Sequence, residues 1–149
     1  MAHDSVDDDH TRPTGTDDAT VAALGTLSEA LEVVEEARGH LYAFHRRCGT
    51  ADRTLGEAVD QLRAAGHDEL ADRVETDLVG RNILAGRWSF QVVEEYDDGY
   101  YARFREHERA AREELMAGRR HVFEAEMKQD RRTHGRAGHA ATPEDSARG

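Results

Sequence analysis

Apolar side chains recur at steps of three and four residues through most of the middle of the chain. Leu24, Leu27, Leu31, Val34, Leu41 and His45 form one such line, interrupted at Arg38. That spacing puts an apolar stripe on one side of an α-helix. Glu29, Glu32, Glu35 and Glu36 fall beside or opposite the stripe, and Val33, Ala37, His40 and Phe44 make a second line on the same helix. Thr20 or Asp18 suits the N-terminal cap and Gly49, after Cys48, suits the end, so a helix is expected over about 19–48.

Thr54-Leu55-Gly56-Glu57 has the form of a capping box, which predicts a second helix with Leu55, Val59 and Leu62 inward and Gly66 as its stop. Asp68 then opens a third, with Leu70, Val74, Leu78 and Val79 inward and Gly80 at its end. Trp88, Phe90 and Val92 alternate with Ser89 and Gln91, a strand pattern. The alternative makes Ser89 an N-cap stapled by Trp88 and Val93, and it is preferred because a single strand has no pairing partner elsewhere in the chain. From Val93 the stripe runs through Tyr96, Tyr100, Phe104, His107, Ala111, Leu115, Gly118, Val122 and Ala125. Taken as one element this is a helix of about 40 residues, about 60 Å long. Such a length does not fit a compact domain of this size, so a bend at Gly99 or Gly118, or pairing with a second copy, is expected.

The expected fold is therefore all-α: a helical bundle of four to five helices with a long C-terminal helix. One helical domain is expected over residues 21–129, between disordered tails at 1–20 and 130–149. The first tail sets Asp4, Asp7, Asp8, Asp9, Asp17 and Asp18 against Arg12 alone, and has too few large apolar groups to offset its ordering entropy.

Composition narrows the function classes. With 149 residues there is room for one small domain, which excludes a large multidomain enzyme. A net charge of −11 argues against nucleic acid as a partner. The runs of apolar residues are far short of the roughly 20 needed to span a bilayer, and no charged-then-apolar signal opens the chain, so no membrane association and a cytoplasmic location are expected. Cys48 is the one cysteine, which rules out an internal disulfide and any C-x-x-C site.

Two places carry candidate chemistry. The first is a set of histidines and carboxylates, Glu36, His40, His45, Glu95 and His107, which would hold a divalent metal (Fe, Zn or Mn) if the helices brought them together. The Glu-x-x-His order of di-iron bundles is not met, and Ala111 stands where a zinc-protease pattern starting at His107-Glu108 needs its second histidine. Packing accounts for His45 and His107 without a ligand, and no cofactor is expected on balance. The second place is the stretch from Arg81 to Tyr101, with the only Trp, three of the four Tyr and the only Asn. There Arg81, Asn82, Arg87, Trp88, Gln91, Glu95, Tyr96 and Tyr100 are candidates for a ligand pocket or an interface, since aromatic groups beside fixed polar groups line both. Core packing by the aromatics is the competing account. Cys48 with His45 one turn upstream lacks a third member and an oxyanion hole. Arg119-Arg120-His121 and Arg131-Arg132 are basic, as befits helix C-termini.

These observations favour a non-catalytic helical protein–protein interaction module, expected to be a homodimer or to bind another protein. The alternative is a metal-binding or small-molecule-binding enzyme built on His40, His45, His107 and nearby carboxylates.

Overall fold

The computed structural model describes residues 5–142. Its described residues form an all-α bundle: α1 (Asp18–Ala64), α2 (Asp68–Asp77), α3 (Ser89–Tyr96), a π-turn (Asp97–Tyr101), α4 (Ala102–Met116) and α5 (Val122–Arg131). The run from Ser89 to Met116 is continuous helix, so the architecture has four helical rods. A 3-10 turn (Asp8–His10) precedes them. The chain divides into a terminal unit, Met1–Val33 with Arg103–Gly149, and a central unit, Val34–Ala102.

α1 is one helix of 47 residues, where the sequence pattern suggested two. Neither the stop at Gly49 nor the capping box at Thr54 operates. A helical Gly costs about 1 kcal/mol relative to Ala, which is less than the packing that burial of Val34 and Val59 on either side of it supplies. Thr50 is accommodated by donating its hydroxyl to Arg46 O at 3.1 Å. The helix stops where a left-handed residue is supplied: Gly66 has φ +85°, with Gly66 N–H donating to Arg63 O and His67 N–H to Leu62 O, both at 2.9 Å. This is the Schellman arrangement.

In α2 the inward position is Ala71, fully buried. Leu70 and Leu78, expected inward, are instead exposed. α3 begins one residue earlier than a Ser89 cap requires: Trp88 is the N-cap, and Gln91 accepts its N–H at 2.9 Å. No strand forms among the described residues. Leu84 and Arg87 make only an isolated bridge across a tight turn.

Both expected bend positions are special. Gly99 lies in the π-turn, and Gly118 (φ +75°) lies in the break between α4 and α5, where Ala117 and His121 also take positive φ. The π-turn changes which residues face inward. Tyr96 stacks on Tyr101, five residues on, at 6.3 Å, and also meets Tyr100, four residues on, in a tilted contact at 5.9 Å. Tyr101, Glu108 and Met116 are consequently buried, whereas Tyr100, His107 and Leu115, one residue earlier and assigned to the stripe, are exposed.

In the terminal unit, Val21, Leu24, Met116 and Val122 form a dry cluster with Leu27 and Ala111 against it. Glu108 is buried beside them, accepting from Arg112 Nε at 3.1 Å and from Ser28 Oγ at 3.2 Å. Gly25 is required here, because a Cβ on it would meet Phe123 Cγ at 2.8 Å. In the described part of the acidic N-terminal segment, Arg12 forms a bidentate pair with Glu126 (2.7 and 2.8 Å) and also binds Asp18 at 2.7 Å. Arg119 donates to Thr11 O at 2.6 Å. Residues 1–4 and 143–149, part of the two expected tails, lie outside the described residues.

In the central unit, Val34, Val59, Ala71, Val93 and Tyr101 are the buried hydrophobic side chains. Arg38 holds the π-turn to α1: it donates to both oxygens of Asp97 (2.8 and 3.1 Å) and lies over the rings of Tyr42 and Tyr101 at 5.0 and 4.8 Å. Tyr101 donates its hydroxyl to Glu35 at 2.6 Å.

Candidate interaction surface

The loop after α2 is built by two left-handed glycines. Gly80 (φ +71°) turns the chain, and its N–H is caught by Asp52 of α1 at 2.8 Å; Gly86 (φ +73°) closes the turn from Leu84 to Arg87. Ser89, at the start of α3, is tied to α1 through His45 Nδ1 at 2.8 Å. These two anchors hold the loop against α1 and leave a groove of about 580 Å³ between them. Leu55, Leu78, Ile83 and Trp88 supply its apolar wall, and Cys48, Asp52, Arg81, Asn82 and Ser89 its polar groups.

Trp88 is 59% exposed and Leu78 and Leu84 each 49%, and Ile83 and Phe90 are also open to solvent. Trp88 and Phe90 meet edge to face with centroids 5.3 Å apart. A second recess of about 540 Å³ adjoins the groove on the outer flank of α1, lined by Arg47, Thr50, Ala51, Thr54, Leu55 and Ala58. Ala51 and Leu55 belong to both, so the open surface is continuous.

Of the pocket candidates, Arg81, Asn82 and Trp88 come together in the groove. Arg81 also pairs with Asp77 at 2.8 Å. Gln91 is occupied in capping, and Arg87 and Glu95 pair with each other. Tyr96 stacks with Tyr101 on the π-turn; burial, followed by the neighbouring Tyr100, Asp97 and Glu35, raises its phenol above the ordinary value. Tyr100 is exposed beside it. Asp97 is held below the usual carboxylate range, first by its hydrogen bond from Arg38 and then by that residue's charge, and the same bond raises the Arg38 guanidinium.

The metal candidates do not converge. Glu36 and His40 are one turn apart on the outer face of α1, 3.9 Å from each other and 74% and 80% exposed. His45 is engaged by Ser89, Glu95 by Arg87, and His107 is exposed on α4. Among the described residues no three His, Cys, Asp or Glu side chains are grouped to hold a metal ion.

Sequence reasoning missed the α1 wall of the groove, Ala51, Asp52 and Leu55, and the part played by Leu78 and Ile83. Asp52 to Gly80 is a contact across 28 residues that leaves no periodic mark. The signal that was present is glycine: Gly80 and Gly86 bracket the loop. No described helix is long and apolar enough to cross a membrane. Compared with known proteins, the chain matches no family model, no curated protein and no solved structure.

Proposed function

We propose that the chain is a non-catalytic helical interaction module that self-associates through the central unit. The observation that carries this reading is the exposed set Leu78, Ile83, Leu84, Trp88 and Phe90, clustered on one loop and the helix start that follows it. Large apolar and aromatic groups gathered in this way mark contact sites, whereas the same groups scattered singly would not. The loop is also held at both ends by Asp52 and His45, so it is presented with little entropy left to lose on binding.

Sedimentation equilibrium of the full chain tests the proposal. A concentration-dependent dimer is expected, with Trp88→Ala and Leu78→Ser weakening it while helicity is unchanged. A monomer at every concentration up to about 100 µM, where any contact stronger than roughly −5.5 kcal/mol is visible, overturns it.

A second reading, small-molecule binding, is favoured by the volume of the groove, which lies within the range of ligand pockets, and by Asp52, Arg81, Asn82 and Ser89 on its wall. Fluorescence of the dye 8-anilinonaphthalene-1-sulfonate tests it. Saturable binding at one site, lost in Leu78→Arg, supports this reading, and binding that the substitution leaves unmoved removes it.

A further inference from the structure

Asp52, Arg81 and Asn82, on the wall of the groove, keep hydrogen-bonding capacity that the fold does not use. Asp52 commits Oδ1 to Gly80 N–H, and its Oδ2 takes no bond among the described residues. Arg81 gives Nη1 to Asp77, which leaves Nε and Nη2. The Asn82 side chain has no partner among the described residues, so its NH2 and its oxygen are both available. Asp52 and Arg81 are the charged residues of the lining and are of opposite sign, so the wall carries no net charge. Beside them stands the Trp88 ring. Phe90 meets it at an interplanar angle of 63°, and no described ring lies flat on it. Leu55, Leu78 and Ile83 complete the wall with aliphatic surface.

We infer that the groove takes an uncharged, flat heteroaromatic ring with hydrogen-bond donors and acceptors along its edge, of the purine-base type. This rests on the small-molecule reading of the groove given above and names its ligand class. A flat ring suits an open indole and aliphatic walls, because stacking asks only for a π-face and leaves the polar groups to the ring's edge. At that edge Asn82 offers a donor and an acceptor side by side, the combination with which an asparagine pairs the exocyclic amine and adjacent ring nitrogen of adenine. Asp52 adds an acceptor and Arg81 adds donors. Neutrality follows from the two charges: a ligand of either net sign meets a like charge at Asp52 or at Arg81. A pure hydrocarbon ring is disfavoured as well, since it would take water from three polar groups without replacing the bonds they lose. The volume of about 580 Å³ leaves room for a substituent beyond the ring, such as the sugar of a nucleoside.

Trp88 is the only tryptophan, so its fluorescence in the full chain reports on the groove directly. Protein concentration is held fixed, because self-association would also cover this ring. Adenosine is expected to change the emission saturably, with half-saturation below about 1 mM. The analogue dimethylated on the exocyclic amine keeps the ring and loses the donor, and it is expected to bind about tenfold more weakly. Asn82→Ala is expected to weaken adenosine by about the same factor, and Asn82→Gln, which keeps the amide, by less. Asn82 is exposed, so helicity should be unchanged in both variants. Equal affinity for adenosine and the dimethylated analogue overturns the inference, as does an Asn82→Ala chain that binds adenosine like the parent. Saturable binding of 8-anilinonaphthalene-1-sulfonate, lost in Leu78→Arg, with no response to adenosine up to about 1 mM, overturns the ligand class and leaves the small-molecule reading standing. No saturable binding of either compound removes both.

Discussion

In the terminal unit Val21, Leu24, Met116 and Val122 pack on one another, and the polar groups nearest them, Glu108 and Arg112, answer each other. In the central unit the buried set is of similar size, yet Tyr42, Phe44, Leu70, Leu78, Ile83, Leu84, Trp88, Phe90 and Tyr100 remain open, against Val33, Leu115, Phe123 and Met127 in the terminal unit. The two regions share the long helix α1 and draw on the same residue types, so composition does not separate them. What differs is the partner element. α4 and α5 bring apolar groups back onto α1 in the terminal unit, whereas the loop between α2 and α3 is fixed to α1 through two polar contacts and turns its apolar groups outward. The terminal unit turns more of its apolar groups onto one another, and the central unit leaves more of them open.

Substitutions sharpen or break this contrast. The largest effect is expected for Glu108→Ala, which takes the carboxylate away from the half-buried Arg112 guanidinium and from Ser28 and is expected to destabilise the fold by about 3 kcal/mol in urea unfolding. Met116→Ala, at the centre of the dry cluster, is expected to cost about 2–4 kcal/mol. Glycines give opposite signs in the two regions. Gly25→Ala, whose methyl meets Phe123, is expected to destabilise by about 1 kcal/mol, while Gly49→Ala, in open space on the same helix, is expected to stabilise by about 0.5–1 kcal/mol. If both alanines had the same sign, the contrast in packing would fail.

Trp88→Ala is expected to change unfolding stability by no more than about 0.5 kcal/mol, because its ring is mostly in solvent. A large loss would show that the ring belongs to the core. The smallest effect concerns pH. Asp97 has its pKa lowered by Arg38, so its contribution is full above the ordinary carboxylate value of 3.8 and is lost as the pH falls below that value through the depressed one. The parent should therefore lose stability more steeply than Asp97→Asn over that acid range, and equal slopes in thermal melts would remove the Arg38–Asp97 pair from the account.

Much of the architecture was legible in the sequence because it rests on local periodicity. The all-α class, the preference for helix at Ser89–Val93 and the two irregular points at Gly99 and Gly118 all follow from it. The joining of the first two expected helices into α1 was not legible, since Gly49 and Thr54 are valid stop and start signals that distant packing overrides. Nor was the burial of Glu108 in place of His107, for a stripe read at steps of three and four cannot register a turn of five. For the site, Arg81, Asn82 and Trp88 were found by their chemistry, while Asp52 and Leu55 were hidden by their distance along the chain.

The turn of five residues at Asp97–Tyr101 has an evolutionary corollary. It behaves as a phase correction, taking up one surplus residue so that the positions after it keep their roles. A chain lacking Gly99 should close that turn into ordinary helix and still bury the same tyrosine, glutamate and methionine. Insertion or loss of one residue there is then a tolerated change, whereas the same change anywhere between Phe104 and Leu115 would turn half of the helix's inward face to water.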